Sequence, residues 1–350
     1  NIRHIPFIIS HRLNYFYTHQ NIENTISNIE ILKIHLKNIY SNKFIRVNQN
    51  FNKKINFIEW ANPKDSLISI IIPTKDNVKL LKNCIDSIHK YSHSPNMEIL
   101  IINNNSLEKE SFLFFDELKN KFIKNISHRI LNFNERFNYS KINNFAIKES
   151  MGDTLILVNN DIEVLSEKWD IYLSSNANRE EIGCVGAKLL FDDLTIQHAG
   201  VVLGIGGVAG HSHKYFRSSS AGYCGRLSMS QEYSALTAAC LCITKSKFLK
   251  IGGFDEVNLA VNYNDVDLCL KLRQKNLRNI YLPHVSAIHH ESKTRGNPIS
   301  KTYNEWRKEY KFMQRKWKEE LKKDFSYSPH LTLEEEDWSM SINEYNLNLR

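Results

Sequence analysis

Short apolar runs alternate with amphipathic stretches from Leu67 to Val158, and this alternation restricts the possible folds more than any other feature of the sequence. The apolar runs are predicted strands at residues 67–72, 97–102, about 129–133 and 154–158. Helices are predicted between them near 108–120, at 140–149, and where one face carries Val78, Leu81, Ile85 and Ile88. Continuous apolar strands separated by amphipathic helices predict a parallel sheet that is covered on both faces.

The pattern becomes mixed after Asp161. Ser166 is a candidate N-cap for a helix that contains Trp169, Tyr172 and Leu173. A second helix is predicted to begin at Asn264, which is also a good N-cap residue, and to run through Gln274. Strands are predicted around residues 184–190, 196–203, 236–244 and 279–282. The glycines of the segment 204–210 predict a tight or flexible loop. A dinucleotide-binding loop does not fit, because the segment lies in mid-chain and the third glycine of the G-x-G-x-x-G pattern is not at the required position.

The two ends of the chain differ from this central part. Residues 1–64 are rich in Asn, Ile and Lys, and Ile22, Ile26 and Ile29 recur at helical spacing, which predicts a partly helical extension without a legible function. Near the other end, a basic helix is predicted with an apolar stripe of Trp306, Tyr310, Met313, Trp317 and Leu321. Packing of this stripe on the main domain is favoured over contact with a membrane, although its lysines could meet acidic lipid.

Composition excludes several classes of protein. A chain of 350 residues with 42% hydrophobic residues can fill a core, and its apolar runs are shorter than the roughly 18 to 20 residues of a membrane-spanning helix. The N-terminus lacks a signal-peptide pattern, and six scattered cysteines without a C-x-x-C pair suit a reducing cytoplasm. The net charge of +8 fits an anionic partner such as a nucleotide, and it fits a merely soluble basic protein equally well.

Polar residues follow three of the predicted strands. They are Pro73 to Asp76, Asn103 to Ser106, and Asn159 to Asp161. Ligands of open parallel sheets bind beyond the carboxyl ends of the strands, so the three clusters together favour a nucleotide site over three unrelated turns. Asp161 is a candidate carboxylate for Mg²⁺ or Mn²⁺ on a diphosphate, and an Asx turn is the alternative.

Two further segments carry candidate chemistry. Asp265 and Asp267 lie at the start of a predicted helix, where acids complement the helix dipole and where a carboxylate in a cleft can also accept a proton. His284, His289 and His290 follow the last predicted strand without the H-E-x-x-H spacing of a zinc helix. One of these imidazoles can complete the coordination of an ion that Asp161 begins to bind.

The order of motifs from Leu67 to about Gly296 resembles that of the family 2 glycosyltransferases, especially bacterial members that build surface polysaccharides. The matching stretches are SIIIPTKDN, IINNNS, FNYSKINNFA, VNNDIEVL, VGAKLL, QHAGVVLG, TAACLCITKSKF, GGFDE, NDVDLCLKLR and HHESKTRG. The resemblance implies the α/β GT-A fold, with a nucleotide-binding, mainly parallel central sheet flanked by helices. It implies a domain over 65–300, divided into a nucleotide-binding half (65–165) and an acceptor and catalytic half of mixed strands and loops (166–300), followed by a helical extension over 301–350.

Roles for individual residues also follow from the resemblance. VNNDIEVL is similar to the family's D-x-D element, which makes Asp161 the ligand of Mn²⁺ or Mg²⁺ and places Asn159 where the family has its first acid. HHES implies His289 as the second metal ligand, NDVD implies Asp265 as the catalytic base, and Asn103 stands where many members bind uracil through an acid. The implied nucleotide-sugar-binding residues are Pro73, Thr74, Asp76, Asn103, Asn144, Asn159 and Asn160.

These roles imply an inverting, metal-dependent transfer of a sugar from a UDP- or dTDP-sugar to a hydroxyl of a glycan or lipid-linked acceptor. We expect a cytoplasmic protein, peripheral at the inner face of the membrane, without nucleic-acid partners. One alternative is a noncatalytic carbohydrate-binding protein of the same fold. The presence of Asp161, Asp265 and His289 argues against it, whereas the replacement of an acid by Asn159 keeps it open. A sugar nucleotidyltransferase is a weaker alternative, because PTKDN after the first strand is not a glycine-rich loop.

Overall fold

A computed structural model describes residues 22–41, 44–50, 55–63, 66–123, 125–290 and 301–341. The helices in these ranges are α1 (Ile22–Tyr40), α2 (Val78–Tyr91), α3 (Lys109–Asn120), α4 (Tyr139–Glu149), α5 (Trp169–Ala177), α6 (Lys245–Lys250), α7 (Asn264–Gln274) and α8 (Lys301–Lys316). The strands are β1 (Phe44–Asn50), β2 (Ile55–Trp60), β3 (Ile68–Thr74), β4 (Met97–Asn103), β5 (Ile126–Asn132), β6 (Thr154–Val158), β7 (Ile162–Val164), β8 (Ile182–Leu190), β9 (Ile196–His198), β10 (Val201–Leu203), β11 (Ala209–His211), β12 (Gln231–Tyr233), β13 (Cys240–Thr244) and β14 (Arg278–His289).

The central sheet has the strand order β12-β14-β8-β13-β6-β3-β4-β5. Strands β6, β3, β4 and β5 are parallel, as predicted for the first half of the domain. Strand β13 is antiparallel to both of its neighbours, whereas β14 is parallel to β8. The second half is therefore mixed, and the sheet as a whole is the largely parallel α/β sheet that the sequence predicts.

Two apolar layers hold the sheet. On β3, Ile70 packs with helices α2, α3 and α5 on one face, while its neighbour Ile71 packs with α4 and α7 on the other. Both isoleucines are fully buried. Successive side chains of a strand point to opposite faces, so a strand that is covered on both sides must be apolar at every position. This explains the uninterrupted apolar runs in the sequence.

Three predicted strands have different bounds in the structure. The segment 196–203 forms two strands, β9 and β10, because Gly200 turns the chain with a φ of 105° and leaves no room for a Cβ beside the ring of Tyr233. The predicted strand 236–244 begins only at Cys240, and the predicted strand 279–282 continues as β14 to His289. The glycine segment 204–210 turns tightly between β10 and β11, as predicted.

Both predicted N-caps are wrong. The Ser166 hydroxyl lies 3.0 Å from the hydroxyl of Ser286, and Lys168 precedes α5 in a left-handed conformation. Asn264 is already helical, and its amide nitrogen donates to the carbonyl oxygen of Val261, which leaves Tyr263 as the residue before α7. Ser166 thus makes a tertiary contact, and Asn264 makes a local contact with the preceding loop, in place of the capping bond that the sequence favours.

The described parts of the two extensions pack on the domain. The N-terminal region forms helix α1 and the antiparallel β1–β2 hairpin, of which only the helix was predicted. At the other end α8 stops at Lys316, so Trp317 and Leu321 lie beyond it, yet both are buried as the apolar stripe predicts. Predictions for residues 1–21, 291–300 and 342–350 lie outside the described residues. Among the described helices, none has both the length and the hydropathy to cross a membrane.

Candidate active site

The predicted nucleotide edge forms at the carboxyl ends of three adjacent strands. Thr74 of β3 is in register with Asn103 of β4, and Asn103 is in register with Asn132 of β5. On the other side of β3, the turn after β6 brings the Asn160 amide nitrogen to 3.0 Å from the Thr74 hydroxyl, to which it donates. The three polar clusters of the sequence therefore lie side by side.

Asn103 is buried at this edge and has two partners. Its Oδ1 accepts from the backbone N–H of Ser106 at 3.0 Å, and its Nδ2 donates to Oδ1 of Asn132 at 3.0 Å. An amide oxygen can accept two hydrogen bonds, so one acceptor position remains for a ligand N–H. The neighbouring Asn104 instead binds the backbone carbonyls of Phe133 and Glu135 and fixes the loop after β5.

Three other predicted nucleotide-binding residues have different surroundings. Pro73 is partly exposed beside Thr74. Asp76 adopts a left-handed conformation, and its Oδ1 accepts from the N–H groups of Leu107 (2.7 Å) and Glu108 (2.9 Å) at the start of α3. Asn144 exchanges hydrogen bonds with the backbone of Phe254. The structure thus uses Asp76 and Asn144 to join loops, and their contact with a nucleotide sugar stays a prediction.

Asp161 and His289 meet where β7 pairs with the end of β14. The pairing places His289 opposite Ile162, and the backbone N–H of His290 donates to the carbonyl oxygen of Asp161 at 3.0 Å. As a result Nε2 of His289 lies 3.2 Å from Oδ1 of Asp161, with both side chains largely buried. The Asn159 amide nitrogen lies 3.3 Å from the same Nε2. The two predicted metal ligands are therefore adjacent although 128 positions separate them in sequence.

Gln197 on β9 orients the His289 ring, and this role was missed in the sequence. Its Oε1 lies 2.6 Å from Nδ1 of His289. Because an amide oxygen can only accept, Nδ1 carries the proton and Nε2 keeps its lone pair on the side of Asp161. A partner that fixes the tautomer in this way is typical of histidines that bind metals. The signal in the sequence was QHAGVVLG, in which we assigned no role to the glutamine.

His290 has a separate environment. Its Nδ1 contacts a carboxylate oxygen of Asp192, and its Nε2 lies 3.3 Å from Oε2 of Glu163. Neither partner belongs to the Asp161 pair. The geometry therefore favours His289 over His290 as the metal ligand.

Asp265 lies in the first turn of α7 and lines a cavity of about 300 Å³. Its Oδ2 accepts from the N–H of Ala238 at 3.1 Å, and its Oδ1 accepts from the N–H of Val266 at 2.8 Å. These two bonds fix the direction of the carboxylate and leave further lone pairs for a substrate proton. Asn159 and His289 line the same cavity.

Aromatic and polar side chains complete the cavity wall. Tyr139, Tyr263 and Trp306 contribute rings, and Thr237, His211 and Lys214 contribute polar groups. A cavity lined by aromatic residues with a few polar groups is typical of sites for small organic ligands. Thr74 and Asn103 are not part of this wall, so the nucleotide edge and the cavity are neighbouring regions joined at Asn159 and His289.

The side chains of Asp161 and His289 are the groups at this site that could bind a divalent cation. Within the described ranges, no group of three or more His, Cys, Asp or Glu side chains could hold a metal ion. The carboxylate of Asp161 and the Nε2 lone pair of His289 supply two ligands. Mg²⁺ and Mn²⁺ are often bound by one or two protein ligands together with substrate phosphates and waters, so this pair fits a cation that arrives with a diphosphate.

Residues 69–189 match the family model described as glycosyl transferase family 2. Residues 69–189 of the chain are therefore a glycosyl transferase family 2 segment. The family predicted from the sequence is thereby confirmed for this segment, which contains the nucleotide edge and Asp161. Asp265, His289 and Trp306 lie beyond it.

Two relatives of this family 2 glycosyltransferase are longer proteins. The uncharacterized protein y4gI of Sinorhizobium fredii is 39% identical over 283 residues, which cover 81% of this chain and 31% of the relative. The O-antigen biosynthesis protein RfbC of Myxococcus xanthus is 36% identical over 270 residues, which cover 76% of this chain and 20% of the relative. The chain therefore spans a third or less of the length of these relatives.

A solved structure supports the fold of this family 2 glycosyltransferase. GalNAc-T7, crystallised with UDP, GalNAc and Mn²⁺, superimposes with a TM-score of 0.59 at 14% identity and covers 85% of this chain, which in turn covers 58% of GalNAc-T7. At this identity the likeness establishes the GT-A architecture and nothing finer.

Proposed function

We propose that the chain catalyses an inverting, metal-dependent transfer of a sugar from a nucleotide diphosphate donor to an acceptor hydroxyl. The observation that carries the proposal is the shared cavity, which is lined by Asp265 and by His289, the partner of Asp161. A base and a diphosphate-binding pair that face one cavity are what a single displacement at a sugar carbon requires.

Asp265 is the proposed base. A sugar hydroxyl is a weak nucleophile, so a carboxylate must take its proton while the oxygen attacks the anomeric carbon. The bond to the diphosphate oxygen breaks on the opposite face as the new glycosidic bond forms, which inverts the anomeric centre. The N–H groups of Ala238 and Val266 hold the carboxylate in place before the acceptor arrives.

Asp161 and His289 are the proposed ligands of Mn²⁺ or Mg²⁺. When bound, the cation stabilises the negative charge that develops on the departing diphosphate. Mg²⁺ prefers oxygen ligands only, so the imidazole of His289 makes Mn²⁺ the better match. Gln197 contacts Nδ1 of the imidazole and thereby directs Nε2 toward the proposed cation.

The donor is proposed to be a UDP- or dTDP-sugar. Asn103 offers its amide oxygen to the N3–H of a pyrimidine, and Asn159 offers its amide to a ribose hydroxyl. Thr74 and Asn160 are hydrogen-bonded to each other at the edge of the sheet, and both are proposed to contact the nucleotide. Asn159 also lies near His289, so a nucleotide held by Asn159 brings its diphosphate to the metal ligands.

A glycan or lipid-linked acceptor and a role in surface polysaccharide synthesis are proposed because RfbC is named for O-antigen biosynthesis. We place the protein in the cytoplasm with peripheral contact to an anionic membrane. Helix α8 and the residues after it expose Arg307, Lys308, Lys311, Arg315 and Lys318, while the apolar stripe packs inward. Exposed cations of this kind attract acidic lipid without inserting into it.

Asn159 favours the noncatalytic, carbohydrate-binding alternative, since it removes one acid from the metal site. Comparison of the wild type with Asp265→Asn in metal-dependent cleavage of a panel of UDP- and dTDP-sugars separates the two. We expect Asp265→Asn to lose most of the activity while nucleotide sugars with Mn²⁺ still stabilise the variant against heat. Equal activity of the two proteins would remove Asp265 as the base, and no Mn²⁺-dependent stabilisation of the wild type by any donor would overturn the proposal.

A further inference from the structure

Helix α8 contributes Trp306 to the cavity that contains Asp265. The helix lies more than 100 positions beyond the segment 69–189 that matches the family. Trp306 is partly exposed, whereas the other four tryptophans of the chain are buried. The partly exposed indole lines the same cavity as the candidate base, so its ring is accessible to a ligand in that cavity.

Contacts with Tyr263 and Tyr310 fix the Trp306 ring. Its Nε1 donates to the hydroxyl oxygen of Tyr263 at 3.1 Å, and the ring centroid lies 5.1 Å from that of Tyr310. Tyr263 has a φ of 59°, an uncommon conformation for a residue with a large side chain, and it directly precedes α7. The indole is therefore hydrogen-bonded to Tyr263, the residue that directly precedes the helix of Asp265.

Glu309 joins the same helix to the same loop. It is buried, and its carboxylate accepts from the backbone N–H of Val261 (2.9 Å), from the backbone N–H of Asn262 (3.0 Å) and from the Asn262 side chain. Hydrogen bonds to a buried carboxylate are among the stronger ones in proteins. Helix α8 therefore holds residues 261–263 in place, and Trp306 has a fixed position relative to Asp265.

We propose that Trp306 is the platform of the acceptor subsite, on which one face of a pyranose ring packs while its hydroxyl points to Asp265. The inference rests on the proposed transferase function and names the acceptor class as a pyranoside. The C–H groups on one face of a pyranose are apolar and complement the electron-rich face of an indole, whereas the hydroxyl groups at the rim need polar partners. Thr237 and Asn262 supply polar groups in the same wall.

Saturation-transfer NMR with methyl pyranosides of glucose, galactose, mannose, rhamnose and N-acetylglucosamine tests this inference. We expect the wild type to bind at least one of them, and Trp306→Ala to weaken that binding about tenfold, the loss of roughly 1.4 kcal/mol of contact. Trp306→Phe keeps a flat ring and should retain most of the affinity. Tyr303→Ala is the matched control, because Tyr303 lies on the same helix with its ring 5.8 Å from Trp306 but is exposed and outside the cavity wall.

Thermal stabilisation by nucleotide sugars with Mn²⁺ is measured on the same four proteins. Retained stabilisation of Trp306→Ala shows that the variant is folded and that its donor half is intact. If the wild type binds none of the pyranosides, or if Trp306→Ala binds them as tightly as the wild type, the acceptor platform is wrong. If no nucleotide sugar stabilises the wild type while pyranosides bind at Trp306, the platform stands and the transferase proposal fails.

Discussion

The Nε2 atom of His289 lies 3.2 Å from Oδ1 of Asp161, and the Nδ1 atom of the same ring lies 2.6 Å from Oε1 of Gln197. One imidazole thus connects a carboxylate at the end of the parallel half of the sheet with a glutamine from the mixed half. The two halves of the domain meet at the proposed metal site. A substitution of Asp161 in one half or of Gln197 in the other should therefore alter metal binding.

Replacing Gln197 with Leu should weaken Mn²⁺ binding about 10- to 100-fold, because loss of the acceptor at Nδ1 releases the tautomer and the orientation of His289. His289→Ala and Asp161→Ala should each abolish metal-dependent activity. Isothermal titration with Mn²⁺ in the presence of UDP measures the affinity, and the metal dependence of donor cleavage measures the activity.

His290→Ala is the control for the Gln197 variant, since His290 binds Asp192 and Glu163 instead. It should keep metal-dependent activity. If His290→Ala loses that activity while His289→Ala keeps it, His290 and not His289 is the metal ligand.

Asp267→Asn should destabilise the protein by about 3 kcal/mol, the lower end of what removal of one partner from a buried ion pair costs. The Asp267 carboxylate is fully buried, and it accepts from Nε1 of Trp317 at 2.8 Å and from Nζ of Lys316 at 2.6 Å, with Nζ of Lys271 at 3.2 Å. Partial exposure of the two lysines places the loss at that lower end. Urea denaturation provides the free energy of unfolding.

Glu319→Gln provides a matched control in the same region of the chain. Glu319 forms an exposed ion pair with Lys322, and such pairs contribute about 0 to 1 kcal/mol. If Asp267→Asn and Glu319→Gln reduce the free energy of unfolding equally, the contacts of Asp267 with Lys316 and Trp317 do not anchor the C-terminal segment.

The site residues at the ends of the parallel strands were predictable because short stretches of the sequence are enough to identify them. Apolar runs that end in Asn, Asp and Thr identify strand ends, and parallel pairing brings adjacent strand ends to one edge regardless of the distance in sequence. The positions of Thr74, Asn103 and Asp161 follow from this rule. Helix α7 also begins and ends at the predicted residues, since the apolar periodicity and the acids of the first turn agree.

Asn159, Asp265 and His289 of the cavity wall were predicted from the sequence, but its other parts were not predictable, for the opposite reason. Gln197, Trp306 and Glu309 reach the site through long-range packing, and an amphipathic stripe does not specify which ring faces a ligand and which faces the core. Likewise, the carboxylate of Asp76 has an unpredicted role at the start of α3, because the loop after β4 brings the N–H groups of residues 107 and 108 to it.

Stability should fall as the pH decreases below about 6.5. Burial is the main cause that lowers the pKa of His213 to about 3 and the pKa of His198 well below its ordinary value. Between the ordinary and the lowered pKa the unfolded chain takes up a proton at each residue and the folded chain does not, so each histidine reduces the free energy of unfolding by up to about 1.4 kcal/mol per pH unit. Above pH 6.5 neither contributes, because both states are neutral.

His213→Gln should therefore reduce the slope of unfolding free energy against pH between 6 and 5, as measured by urea denaturation at several pH values. The variant is also expected to be less stable at pH 7, because the His213 ring stacks on Trp338 and its Nε2 accepts from the N–H of Tyr223. His35→Gln is the control for the loss of a histidine as such, since His35 is exposed on α1. An unchanged slope in His213→Gln would mean that this histidine takes up its proton equally in the folded and unfolded protein, which would contradict the lowered pKa.

Asn159→Asp should strengthen Mn²⁺ binding in the absence of a nucleotide. The Asn159 amide nitrogen lies 3.3 Å from Nε2 of His289, so a carboxylate in its place would add a charged oxygen ligand next to Asp161 and His289. Among the described residues, the proposed site of the wild type offers Asp161 and His289 as ligands, so its affinity for Mn²⁺ should depend strongly on the diphosphate. We expect the ratio of Mn²⁺ affinities with and without UDP to be smaller in the variant than in the wild type, as measured by titration calorimetry. An identical ratio in both proteins would place the bound cation away from Asn159 and require a different set of ligands.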